Sequence, residues 1–119
     1  MHVFADFWGC PREQLENASF LEAAVKETAY LVGTDLLKID SHQFRSPGAG
    51  YSRGVTVYAI LSESHIAIHT YPEAGFAAID IYVCGRHCNP RRGLEYLRER
   101  LRPTSISFSE MVRGQRPSH

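Results

Sequence analysis

Two histidines, His65 and His69, and two cysteines, Cys84 and Cys88, are the side chains here that most readily invite a chemical role. Imidazoles and thiols in pairs are familiar zinc ligands. The spacing argues against that use. Four residues on an extended segment span ~13 Å, too far for both members of a pair to reach one ion. No metal centre is therefore expected. Imidazole is also suited to moving protons near neutral pH, which makes His69 a candidate base. Taken singly, these groups stay ordinary. Ser64 reads as a serine near a turn, His69 as a hydrogen-bonded sheet histidine and Cys84 as a small hydrophobe. What decides between the readings is how the chain positions them.

The surrounding elements follow from periodicity. His2–Trp8 (HVFADFW) alternates and predicts a strand, and residues 11–16 are polar and begin with a turn. A helix is predicted from Ser19, with Glu22 completing a capping box. Its apolar stripe is Phe20, Leu21, Ala24, Val25, Thr28 and Val32, and Gly33 ends it. Residues 36–44 predict a second strand, and residues 46–54 a loop rich in turn formers. Three more strands are predicted over residues 55–61, 66–71 and 77–83, broken at 62–65 and 72–75. Asn89 then caps a helix opened by Pro90, with Leu94, Leu97 and Leu101 as its buried stripe and Pro103 as its stop. Residues 104–112 predict a last strand.

Strand parity sorts the side chains. Ile66, Ile68 and Thr70 share one face, and His65, Ala67, His69 and Tyr71 the other; Ile79, Ile81 and Val83 likewise oppose Asp80, Tyr82 and Cys84. Each strand thus has an aliphatic face for helices and a second face bearing aromatic and titratable groups. The predicted fold is α/β (α+β): a two-layer sandwich, an antiparallel sheet with two helices on one face. The placement of Cys84 with Asp80 and Tyr82 argues against a purely structural thiol.

Composition narrows the classes of function. The 119 residues fit one domain over 1–119, and 44% hydrophobic with 22% charged residues is the balance of a soluble globule. Thirteen basic and thirteen acidic residues cancel, so the electrostatic footprint of a nucleic-acid binder is missing. No apolar run approaches the ~20 residues of a membrane span, and no signal peptide is visible. Three cysteines without an export signal predict free thiols in the cytoplasm.

The most specific segment is Ser62-Glu63-Ser64-His65-Ile66-Ala67-Ile68-His69-Thr70-Tyr71-Pro72-Glu73. Ala77-Ala78-Ile79-Asp80 and Cys84-Gly85 follow it, His2-Val3-Phe4-Ala5-Asp6-Phe7 opens the chain, His42-Gln43-Phe44 ends a strand, and Arg113-Gly114 lies near the terminus. Together these resemble the bacterial and archaeal S-adenosylmethionine decarboxylase family over most of the chain. The resemblance implies a proenzyme that cuts itself between Glu63 and Ser64, leaving a pyruvoyl group derived from Ser64 as its covalent cofactor. It also implies that His69 is the processing base and that Thr56 stands where the family usually carries a processing serine. By the same resemblance Cys84 is the proton donor in a decarboxylation run through a substrate imine.

For the substrate, the resemblance places Phe44 and Tyr71 on the rings that sandwich adenine and Glu73 on the carboxylate that holds ribose. S-adenosylmethionine, and with it polyamine (spermidine) biosynthesis, is the implied assignment. The loop at 46–54 runs about six residues longer than in typical members, and some relatives decarboxylate L-ornithine or L-arginine, so these substrates stand as the alternative. A further alternative is an unprocessed homologue serving as a binding or regulatory subunit. The family also implies a homodimer of cleaved protomers, with sites near the interface; charge balance and the lack of an apolar span leave neither nucleic acid nor membrane as an expected partner.

Overall fold

In a computed structural model, which describes residues 1–45 and 53–118, the alternating segments pair into a six-stranded sheet. The elements are β1 (His2–Trp8), α1 (Arg12–Leu15), α2 (Ala18–Val32), β2 (Leu36–Gln43), β3 (Val55–Leu61), β4 (Ser64–Tyr71), β5 (Phe76–Val83), α3 (Pro90–Leu101) and β6 (Ser105–Met111). A single 3₁₀ turn, Pro72–Ala74, links β4 to β5. The strand order is β2-β3-β4-β5-β1-β6, and every neighbouring pair is antiparallel. β1 therefore lies between β5 and β6, far from it in sequence. The longer loop at 46–54 falls mostly outside the described residues.

Parity determines what is buried. Val3, Ala5 and Phe7 of β1, Val57 and Ala59 of β3, Ile66 and Ile68 of β4 and Ile79 and Ile81 of β5 point under the two long helices and are essentially inaccessible. Leu21, Val25 and Val32 of α2 and Leu94, Leu97 and Leu101 of α3 close over them. Each such side chain contributes ~1.5–3 kcal/mol by leaving water. The helices approach closely at Gly93: a Cβ there would stand 2.6 Å from Val32 Cγ2 and 2.8 Å from Thr28 Cγ2. Thr28 satisfies its buried hydroxyl by donating to the Ala24 carbonyl at 2.7 Å. Thr70 bridges layers, donating to the Leu15 carbonyl at 2.7 Å and accepting from the Val55 amide at 2.8 Å.

Local signals were mostly followed, with shifts of physical origin. Helix α2 begins one residue before Ser19, because Asn17 accepts from the Phe20 amide at 3.0 Å and so serves as the cap. The Glu22 carboxylate is engaged elsewhere, accepting from the Ser41 hydroxyl of β2. Polar residues 11–16 contain the short helix α1, held by the burial of Leu15. Asn89 and Pro90 open α3 as expected, Asn89 accepting from the Arg92 amide at 3.3 Å. Strand β4 starts at Ser64 instead of Ile66, since Ser64 already pairs with Leu61 and Val83.

Candidate active site

The β3–β4 connection is a two-residue turn, Ser62 and Glu63, which delivers Ser64 to the strand with φ +122°. Ser64 and Arg102 are the non-glycine residues with positive φ among those described, and an L side chain in this region costs ~1–3 kcal/mol. Such strain persists only where the surroundings fix it. Here Ser62 donates its amide to the Asp35 carbonyl at 2.9 Å, and its hydroxyl accepts from the Asp35 amide at 3.2 Å. Glu63 is fixed from the other side, its carbonyl accepting from the Cys84 amide at 3.1 Å.

That last contact sets up the first cluster. The Ser64 hydroxyl lies 3.2 Å from Cys84 Sγ, at the end of β5. Cys84 is exposed, and its thiol is more acidic than an ordinary cysteine because the Ser64 hydroxyl, and next the Tyr82 hydroxyl, hydrogen-bond the thiolate. The Glu63 carbonyl is thus polarised by a backbone N–H, with a nucleophilic oxygen one residue away and a sulfur acid beside it. Cys88 lies nearby but is shifted the other way, chiefly by burial. Cys10 sits apart, buried under the sheet, its thiol pushed up to about 11 by desolvation.

A second cluster forms elsewhere. Thr56 and His69 face each other across β3 and β4, with Thr56 Oγ1 3.1 Å from His69 Nδ1. Phe44, Thr56, His69, Tyr71 and Glu73 line one cleft of ≈ 430 Å³, together with Gly54 and Thr70. Phe44 and Tyr71 are half exposed there, and His42 meets the Phe44 ring edge-on at 4.6 Å. Two residues with no role assigned from sequence extend this aromatic wall: Phe76 stacks on Tyr71 at 5.3 Å and Trp8 on Phe76 at 4.3 Å. The pairing of β1 with β5 that brings Trp8 there joins segments far apart in the chain, and no local pattern announces it.

The structure thus gathers the expected residues into two groups and keeps the groups apart. Five strand steps at ~3.4 Å separate Ser64 from His69 by about 17 Å along β4. The rise that excluded a shared zinc ion for His65 and His69 applies equally here. A separate groove of ≈ 300 Å³ between α3 and β6, lined by Leu94, Arg98, Ile106 and Phe108, holds no member of either group.

Between the clusters runs the face of the sheet that the helices leave open. Phe4, Tyr58, Ile60 and Met111 are all substantially exposed on it. At its centre Asp80 pairs with His2 through one carboxylate oxygen and with His65 Nε2 through the other at 3.3 Å. None of the described helices is long and apolar enough to cross a membrane.

Comparison with known proteins places the chain in a family. Residues 1–114 match the model of the S-adenosylmethionine decarboxylase family. Among relatives described as S-adenosylmethionine decarboxylase proenzymes, that of Brevibacillus brevis is 41% identical over 95% of this chain and 80% of its own length. That of Methanococcus aeolicus is 37% identical over 95% of this chain and 92% of its own. In fold, the crystal structure of the adenosylmethionine decarboxylase from Aquifex aeolicus superposes with a TM-score of 0.83 at 24% identity, covering 99% of this chain and 92% of that one. With sequence matches of this extent the chain is a member of the S-adenosylmethionine decarboxylase family, and thereby of the carboxy-lyases.

Proposed function

We propose that the protein is made as a proenzyme, cuts itself between Glu63 and Ser64, and decarboxylates S-adenosylmethionine as a homodimer. The observation that carries this reading is the pre-set geometry at Ser64: positive φ, a carbonyl already hydrogen-bonded at Glu63, and the Cys84 thiol 3.2 Å from the hydroxyl.

The cut follows from these atoms. Ser64 Oγ attacks the Glu63 carbonyl carbon, and the Cys84 amide stabilises the oxyanion that develops. The C–N bond breaks as the nitrogen takes a proton, leaving Glu63 esterified to Ser64. A base then removes the Ser64 α-proton and the Glu63 carboxylate departs. The resulting dehydroalanine tautomerises, takes up water and releases ammonia, so residues 64–119 begin with a pyruvoyl group and residues 1–63 form the second chain. The surroundings of residue 64 fit that group, because relief of the strained φ accompanies the change from tetrahedral to planar Cα. Imidazole is the base suited to the α-proton, and Thr56 holds His69 through Nδ1.

A pyruvoyl group supplies a ketone that captures the substrate amine and accepts the electron pair released with carbon dioxide. Cys84 then returns a proton to the substrate carbon, and its lowered pKa makes it a better acid than an ordinary thiol. Phe44 and Tyr71 offer flat faces to adenine, and Glu73 accepts from the ribose hydroxyls.

The two clusters need a second copy to meet. The open sheet faces carry enough exposed aromatic and aliphatic surface to bury against each other. In a twofold pair the His69 end of one sheet lies over the Ser64 end of the other, so each site takes Ser64 and Cys84 from one protomer and the cleft residues from its partner.

The test is intact mass under denaturing conditions after incubation with S-adenosylmethionine, L-ornithine or L-arginine and cyanoborohydride. Fragments of residues 1–63 and 64–119, the latter carrying the mass of decarboxylated S-adenosylmethionine, are expected. Adducts from ornithine or arginine alone would replace the substrate, and a single uncut chain without adduct would remove the enzymatic reading.

A further inference from the structure

Tyr71 offers its ring to the cleft from an unsheltered position. It closes β4, is half exposed, and with ψ 80° its backbone is already turning toward Pro72 and the 3₁₀ turn. A ring at a strand end beside solvent has both side-chain torsions free to move unless a neighbour fixes its plane. Phe76 is that neighbour. It stands directly opposite Tyr71 in the β4–β5 register, with ring centroids 5.3 Å apart and planes 17° from parallel. Because β5 lies between β4 and β1, Phe76 is flanked on its far side as well, by Trp8 at 4.3 Å and 18°. The cleft lies on the other side of Tyr71, toward Phe44, and neither Phe76 nor Trp8 is among its lining residues.

The outer end of this column is anchored through backbone. Thr104 donates its amide to the Trp8 carbonyl at 2.8 Å and its hydroxyl to the same oxygen at 3.3 Å. Gly9 follows with φ +75°, and a Cβ there would stand 2.0 Å from Thr104 Oγ1, so only glycine lets the chain pass this close. The Cys10 amide then donates to the Gly75 carbonyl at 3.0 Å, which ties the end of β1 to the turn just before Phe76. Three strands and two turns thus converge on the plane of one tyrosine ring. Covering apolar area would not need this, since an aliphatic side chain at 76 covers a ring without aligning it.

We propose that Phe76 is the positioning residue of Tyr71, backed in turn by Trp8: the column sets the plane of the ring on which the purine of a nucleoside substrate lies. This rests on the cleft being the nucleoside site of the proposed function. It deepens that reading by making the cleft selective for a flat base, because an aligned ring has no task against the aliphatic tail of L-ornithine.

The test is calorimetric titration with 5′-methylthioadenosine, which carries the purine and ribose but no carboxylate to lose, so binding is read without turnover. Phe76→Leu is expected to weaken binding about three- to tenfold and Trp8→Leu by less, while Phe76→Tyr, which keeps a ring, recovers most of the loss. In turnover of S-adenosylmethionine the same factor appears in KM rather than in kcat, a split that a general loss of stability does not produce. Unchanged binding in a folded Phe76→Leu overturns the proposal; should that variant show no cooperative melt, unchanged binding in Trp8→Leu does the same. A wild-type protein that ignores 5′-methylthioadenosine refutes the nucleoside reading of the cleft and this inference with it. Binding that is indifferent to residue 76 refutes this inference alone.

Discussion

A site split between two protomers, as proposed, has a quantitative consequence. Ser64→Ala removes the proposed nucleophile, and His69→Ala removes the proposed base about 17 Å away along the same strand. If the base acts across the interface, each variant alone stays uncut, for different reasons. Mixed dimers differ. The site built from the Ser64→Ala chain and its partner's missing His69 is doubly disabled, whereas the other pairs an intact Ser64 with an intact His69. Random pairing of equal amounts yields half mixed dimers with one working site in two, so about a quarter of all chains are cut. The direction is diagnostic: the cut chain must be the one that lacks its own His69. Co-expression of the two variants with different affinity tags, isolation of the doubly tagged species and denaturing mass spectrometry read this directly, with half of the chains in that species cleaved. The reasoning would be refuted by mixed dimers that contain no cleaved chain, or by His69→Ala homodimers that process like wild type.

The strain at Ser64 predicts that, between two uncleavable variants, Ser64→Gly is more stable than Ser64→Ala by ~1 kcal/mol, because glycine accepts φ +122° freely; thermal melts should differ by about 4 °C. Gly93→Ala should destabilise by ~1–3 kcal/mol in urea titrations, since overpacking against Val32 and Thr28 outweighs the gain in helix propensity of ~1 kcal/mol. Cys10 ionises near 9 when unfolded and at about 11 when folded, so the stability it lends is complete below pH 9 and declines as pH rises through 11. Urea midpoints of wild type and Cys10→Ala should therefore converge over that window, and parallel profiles would contradict the assignment.

Much of this architecture was legible from residue order. Alternation in β4 and β5 identified the helix-covered face, and Asn89 with Pro90 located the start of α3 to the residue. Asn17 was passed over for Ser19 because both are capping types, and the choice depends on where Leu21 and Val25 must point to reach the sheet. The turn at Ser62 and Glu63 lacks the glycine or asparagine that usually marks a two-residue hairpin, so β4 reads as starting late. Its geometry is imposed by Asp35, a tertiary contact. The residues of the candidate site were named by motif, while their division into two clusters depends on strand rise and register. The contact of Arg113 with His2 was invisible because it joins segments more than a hundred positions apart.

The placement of β1 between β5 and β6 has a bearing on what the proposed cut at Ser64 would do. The two products would be interleaved, the first fragment contributing β1, β2 and β3 and the second β4, β5 and β6. To part, they would have to open three ladders at once, β3 to β4, β1 to β5 and β1 to β6. The nicked protein should hence unfold as one body, yet its refolding becomes a second-order reaction between pieces that were born joined. Dilution, harmless to an uncut chain, would become a hazard to a cut one, so folding would have to be complete before the proposed nick is made.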